Sequence, residues 1–252
     1  MIPSYLIFVG ISVLIALVFP AARHLRGKGQ RRQYYLLQGI TLLGAVLGAK
    51  LSVLFGDLHW PWVAITDWHT ALWSGRSITG ALIFGFLFAE IAKPMIGYTM
   101  PPNDRFAALL PFTIAIGRFG CLTAGCCQGA LCDNWIGMAG VDGLPRYPIA
   151  LFEIAFQILI GILFILMVKR RFLFGRLFSL YLVAYGVFRF GTEFIRDTPK
   201  FFDGFSGYQL LSLVMIVLGG AFFLKRTLAP PQTWNEFDEP SAQTPTPELS
   251  HA

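Results

Sequence analysis

The chain has 252 residues, of which 55% are hydrophobic and only 13% charged, with 24 phenylalanines and a net charge of +6. That is far more apolar surface than one soluble core needs, and a bilayer is the natural solvent for it. The excess positive charge does not indicate nucleic acid, because the basic residues are segregated between apolar blocks and form no stripe with interleaved aromatics.

Seven apolar blocks are close to the roughly 20 residues that a helix needs to cross the hydrocarbon layer. They run at about Ser4–Phe19, Tyr34–Phe55, Ser77–Ile96, Ala107–Thr123, Pro148–Val168, Leu177–Phe194 and Tyr208–Leu224. The blocks are continuously apolar and do not alternate, which points to helices and away from a barrel. The fold class is therefore read as an all-α integral membrane protein with seven transmembrane helices. Arg23, Arg26, Lys28, Arg31 and Arg32 follow the first block, Lys93 and Arg105 the third, Lys169, Arg170, Arg171 and Arg176 the fifth, and Lys225 and Arg226 the seventh. Positive loops face the cytoplasm. The opposite connections hold Trp60, Trp62, Trp68 and Trp73, suited to an outer interfacial belt. The N-terminus is expected outside and the C-terminus in the cytoplasm, with the first block an uncleaved span.

Residues 1–226 read as one membrane domain. Residues 227–252 are rich in Pro, Thr and Glu and read as a disordered cytoplasmic tail. The Asp57–Arg76 and Gln128–Tyr147 connections share the outer face and are placed to cover a site there or to lie on the headgroups as plain connectors.

Lys50, Arg118, Arg189 and Glu193 fall in or near the ends of spans, where an unpaired charge is expensive and needs a partner or a task. Tyr185, Arg189 and Glu193 recur every four residues, and Arg196 follows three later, so they stack on one helical face. Arg118 sits in Gly117-Arg118-Phe119-Gly120, where the glycines allow close backbone approach or a break in the helix. Guanidinium groups gathered there offer bidentate donors to a phosphate, and a phospholipid headgroup is the abundant phosphate at that depth. Cys121, Cys126, Cys127 and Cys132 cluster at the outer end of the fourth block. They read as buried structural cysteines or disulfides, with a metal site and a reactive thiol as the alternatives. The histidines show no metal-ligand spacing, and neither metal nor cofactor is expected.

Several segments in order resemble the prolipoprotein diacylglyceryl transferase family. They are Gly48-Ala49-Lys50, Ser74 to Leu82, Gly117-Arg118-Phe119-Gly120, Arg146-Tyr147-Pro148 with Leu151-Phe152-Glu153, Tyr185 to Phe190 with Glu193 to Arg196, and Gly207 to Ser212. The resemblance implies a seven-helix fold in the bacterial plasma (inner) membrane. It implies transfer of a diacylglyceryl group from phosphatidylglycerol to the thiol of a lipobox cysteine in a secreted precursor. It implies catalytic roles for Arg118, Arg189 and Tyr185, with Tyr185 donating to the headgroup, and substrate contacts from Lys50, Arg76, Thr79, Gly117, Gly120, Glu193, Arg196 and Gln209. Where the family usually has His-Gly-Gly-Leu, this chain has Thr79-Gly80-Ala81-Leu82; Cys121 and Cys126 stand where it usually has Asn and Glu, and Lys50 where it usually has Arg. The alternatives are a paralogue performing another phospholipid-dependent transfer, a non-catalytic phospholipid-binding or transport protein, and a thiol–disulfide membrane protein working through the cysteines.

Overall fold

A computed structural model of the chain describes residues 28–56, 77–98, 104–125, 127–198, 200 and 204–228, and seven residues of the first apolar block (7, 8, 10–12, 14 and 15), which are helical. Arg76, Cys126, the tryptophan-rich connection and the tail beyond residue 228 lie outside the described residues.

Six α-helices match the second to seventh apolar blocks: α1 (Lys28–Gly56), α2 (Ile78–Met95), α3 (Asp104–Ala124), α4 (Ile149–Lys169), α5 (Leu177–Thr192) and α6 (Gly207–Leu228). Among the described residues, five segments are long and apolar enough to cross a membrane: Arg31–Val53, Ile78–Met95, Phe106–Ala124, Ile149–Lys169 and Gly207–Leu228. The sixth block departs from the expected continuous helix. It ends as α5 at Thr192, tightens into a 3₁₀ turn at Glu193–Ile195, and is extended by Arg196.

The helices pack as neighbouring antiparallel pairs, α1 on α2, α3 on α4 and α5 on α6. Lipid offers no hydrophobic drive to pair two apolar helices, so small residues that allow close packing decide the contacts. A Cβ on Gly80 would overlap Ser52 Oγ and the Gly48 carbonyl across α1 and α2. One on Gly161 would meet Phe112 across α3 and α4, and one on Gly186 would meet Ile216 across α5 and α6. Helix α5 is the centre of the bundle: Leu177, Tyr181, Leu182 and Tyr185 are all at most 1% exposed. Tyr181 and Tyr185 stack with centroids 5.8 Å apart, and Phe164 of α4 meets Tyr181 edge-on.

The antiparallel pairing brings the starts of α1, α3 and α5 to one end with the finishes of α2, α4 and α6, so Lys93, Lys169, Arg170, Arg171, Arg176, Lys225 and Arg226 share that end. Arg226, expected as a loop cation, is instead buried there: Nη1 donates to the Gly175 carbonyl (2.9 Å) and Nη2 to Glu90 (2.7 Å), which also takes Lys93. The Gly175 N–H donates to Asp104, so one tight turn, made possible by a positive φ of 80° at Gly175, is clamped from α2, α3 and α6.

Asp104 lies just outside the Phe106–Ala124 span, and burial pushes its carboxyl up to about 6, against the backbone N–H groups of Gly175 and Leu177 and the Arg226 charge. A carboxyl whose pKa is raised on folding holds its proton in the native state after the unfolded chain has lost it. Stability from this group is thus full below about pH 4 and declines as pH rises to about 6, by roughly 2–3 kcal/mol. Asp104→Asn should remove this slope, visible as a smaller fall in thermal midpoint between pH 4 and 7 than in the wild type.

At the opposite end the Gln128–Tyr147 connection is folded. Two short antiparallel strands, β1 (Met138–Ala139) and β2 (Pro145–Arg146), form a hairpin where no strand was expected. Further bridges join Leu131 to Arg146 and Gly129 to Arg196. This ladder ties the end of α3 to the segment after α5.

Candidate functional site

Arg118 lies six residues before the end of α3, Glu153 one turn into α4, and Tyr185 and Arg189 in the last two turns of α5. Antiparallel packing brings these positions to one level, toward the end that carries the hairpin. Glu153 is the hub. Arg118 Nε is 2.9 Å from its Oε1, Arg189 Nη1 is 3.6 Å from its Oε2, and the Tyr185 hydroxyl donates to Oε1. Glu153 is 1% exposed, Arg189 4% and Arg118 7%, so this is a dry ion-pair cluster.

The cluster continues outward through Glu193. Its Oε2 takes Arg189 Nη2 at 3.5 Å and Arg196 Nη1 at 3.3 Å, while its Oε1 accepts from Thr198 (2.6 Å) and Ser206 (3.2 Å). Lys200 donates to the Glu193 backbone carbonyl, and burial lowers the Lys200 ammonium below its usual value against the pull of the Glu193 carboxylate. Among the guanidinium and carboxylate groups alone, three (Arg118, Arg189, Arg196) face two (Glu153, Glu193), which leaves one positive charge besides that of Lys200.

The donors are also in excess. Among the described residues Arg118 Nε, Arg189 Nε and Arg189 Nη1 have no hydrogen-bond acceptor, although two of them stand close to Glu153 oxygens. These contacts are close in charge and poor in alignment. Buried guanidinium N–H groups are costly to leave unmade, and this cluster has donors to spare beyond its own carboxylates.

The structure brings together five of the expected site residues, Arg118, Tyr185, Arg189, Glu193 and Arg196. It gives some of them other surroundings than expected. Arg196 is not stacked on the α5 face: it is extended, with its guanidinium carbon 5.8 Å from the Tyr208 ring centroid. The Tyr185 hydroxyl, expected on a headgroup, is committed to Glu153, and the side chain is fully buried. Gln209 forms a reciprocal cap at the start of α6. Its Oε1 accepts the Ser206 N–H (2.8 Å) and its own N–H donates to Ser206 Oγ (3.3 Å), so its amide oxygen holds the helix start that carries Ser206 to Glu193.

Gly117 and Gly120 do not break α3, which runs unbroken to Ala124. The helix stops where Gly125 adopts φ of 64°. Lys50 and Thr79 lie on α1 and α2 at the same end of that pair, where the Ser77 N–H donates to the Ala49 carbonyl (3.0 Å). Arg118 Nη1 donates to Cys121 Sγ (3.6 Å) and Cys127 Sγ (3.4 Å), so these cysteines flank the guanidinium and form no disulfide among the described residues. Cys132 is buried and likewise forms none, and no group of residues suited to a metal occurs among the described residues.

A model of the family described as prolipoprotein diacylglyceryl transferase matches residues 1–225. The chain belongs to the prolipoprotein diacylglyceryl transferase family. It is 24% identical over 234 residues, 86% of this chain and 88% of the relative, to phosphatidylglycerol–prolipoprotein diacylglyceryl transferase 2 of Clostridium perfringens. It is 30% identical to the phosphatidylglycerol–prolipoprotein diacylglyceryl transferase of Bordetella bronchiseptica over 198 residues, 73% of this chain and 74% of that one. The Bordetella parapertussis enzyme is 31% identical over the same length and shares. Membership in this diacylglyceryl transferase family agrees with a multi-pass helical membrane protein.

The sequence marked the hub only as part of the family-like segment Leu151-Phe152-Glu153 and gave it no role. Glu153 stands in an apolar block with no other acidic residue, and the argument that singled out Arg118 and Glu193 applies to it equally. Gly129 was missed. A Cβ there would meet Tyr147 Cβ at 2.6 Å and the Ile195 carbonyl at 2.9 Å, so only glycine fits between the hairpin and the Arg196 segment. Nothing in a glycine-rich loop marks one glycine above the others. Gly129→Ala should push these strands apart and destabilise the protein by about 1–3 kcal/mol, read as a lowered unfolding midpoint accompanied by faster proteolysis of the 127–148 segment.

Proposed function

We propose that the chain transfers a diacylglyceryl group from phosphatidylglycerol to the thiol of a lipobox cysteine in a secreted precursor, at the outer leaflet of a bacterial plasma (inner) membrane. The observation that carries this reading is the buried Arg118–Glu153–Arg189 cluster, with one positive charge in excess and unmet donors from two helices. The phosphodiester of a lipid headgroup supplies the missing charge and acceptors at that depth.

In the reaction the acceptor sulfur attacks the glyceryl carbon that carries the phosphate. A carbon–sulfur bond forms, the carbon–oxygen bond breaks, glycerol phosphate leaves with the electron pair, and the thiol proton ends on the released glycerol phosphate or in the outer aqueous phase. Negative charge gathers on the departing phosphate. Fixed guanidinium donors in a buried site stabilise that charge without having to reorganise. Arg118 and Arg189 act on the phosphate, Glu153 and Glu193 hold the two arginines, and Tyr185 fixes Glu153. Lys50, Arg76, Thr79, Gly117, Gly120, Arg196 and Gln209 complete the lipid and acceptor sites.

A seven-span bundle with the N-terminus outside suits this assignment. The shared basic end faces the cytoplasm by the positive-inside rule, which turns the cluster and the hairpin outward. The test is to follow glycerol phosphate and acceptor thiol together, with purified protein in phosphatidylglycerol vesicles and a lipobox peptide. One glycerol phosphate should appear for each thiol lost. Headgroup binding without release would support a non-catalytic clamp, and release with no loss of thiol would support transfer to another acceptor.

A further inference from the structure

Four of the five buried polar side-chain atoms that lack a hydrogen-bond partner among the described residues belong to one ladder: Arg118 Nε, Arg189 Nε, Arg189 Nη1 and Gln157 Nε2; the fifth is Ser179 Oγ. Gln157 lies four residues beyond Glu153, on the same face of α4 and about 6 Å further along its axis, away from the hairpin end. It is fully buried. The amide is fixed through its oxygen, which accepts from the Tyr181 hydroxyl at 2.8 Å. Tyr181 in turn stacks on Tyr185 with the ring planes 2° apart, and Tyr185 donates to Glu153. This chain of contacts leaves the Gln157 NH₂ group, with its two donors, unmatched in an apolar interior.

We propose that Gln157 is a specificity-determining residue that reads an ester carbonyl of the lipid donor. The inference rests on the assignment of the arginine cluster to the phosphate. In a diacylglycerophospholipid the ester carbonyls lie between the phosphate and the tails. A lipid whose phosphate sits at Arg118 and Arg189 therefore places a carbonyl oxygen one step deeper, at the level of Gln157. An ether-linked lipid of the same headgroup has no carbonyl there, leaves the amide unmatched and is the poorer donor. A site built to hydrogen-bond a group discriminates against the analogue that lacks it.

The experiment compares phosphatidylglycerol with its diether analogue, matched in chain length, as donors to a lipobox peptide. The wild type should favour the diester by about tenfold in kcat/KM. Gln157→Met, close in shape but without the amide, should bring that ratio to about one. Tyr181→Phe removes the hydroxyl that Gln157 accepts but keeps the NH₂ donor, and should retain the preference even where its absolute rate falls. A wild-type ratio near one, or a Gln157→Met protein that keeps the diester preference, overturns the proposal. Failure of the wild type to form product from either lipid overturns instead the transfer reaction on which it rests.

Discussion

Glu153→Ala is expected to cost about 3–5 kcal/mol of stability, the usual consequence of removing one partner from a buried ion pair. Arg118 and Arg189 both lean on this carboxylate, and all three side chains are buried. Three cations would then face Glu193 alone. The isosteric Glu153→Gln is the more informative change, because its amide oxygen can still accept from Tyr185 and preserve the shape of the core. In that variant the cluster gains one net positive charge, so the headgroup should bind as well as before or better. The guanidinium groups lose their common anchor, and a displacement of about 1 Å can cost on the order of 10²-fold in rate. Lower kcat with KM unchanged or reduced is the expected kinetic signature. A rise in KM with kcat intact would contradict the positioning role.

The second large effect concerns the arginines themselves. Arg118→Ala and Arg189→Ala should each reduce kcat by about 10²–10³-fold, the scale seen when one preorganised donor to a developing oxyanion is lost. Lysine should not rescue either position, because both guanidinium groups contact more than one partner and a point charge cannot copy the fork. The two arginines act on one leaving group, so the double variant should lose much less than the product of the single losses. Thermal unfolding of each variant separates rate from folding, since Glu153 keeps one guanidinium partner in either single replacement.

Much of this arrangement was legible in the chain. Continuous apolar blocks located the helices because lipid leaves each backbone hydrogen bond to be satisfied within its own segment. The basic residues between blocks marked one end of the bundle, where the structure gathers Lys93, Lys169 and Arg226. Arg118, Arg189 and Glu193 were visible because charge is rare and expensive in such blocks.

What stayed hidden depends on the third dimension. Four-residue spacing joins Tyr185, Arg189 and Glu193 within one helix, but nothing local says that Glu153 of α4 lies between Arg118 of α3 and Arg189 of α5. The turn at Glu193–Ile195 was hidden for a similar reason. Its extended continuation pairs with Gly129, a contact made 67 positions away in the chain. The place of Gln209 in a motif marked it as a substrate contact, but that it also caps α6 through Ser206 is visible only in three dimensions.

The most direct measurement is mass spectrometry of a lipobox peptide after incubation with the purified protein and phosphatidylglycerol of defined chain length. The peptide should gain one diacylglyceryl group as a thioether on its cysteine, with the product all but absent in Arg118→Ala and Arg189→Ala proteins that remain folded. An unmodified peptide with the wild type, or equal product from wild type and both variants, would contradict the account.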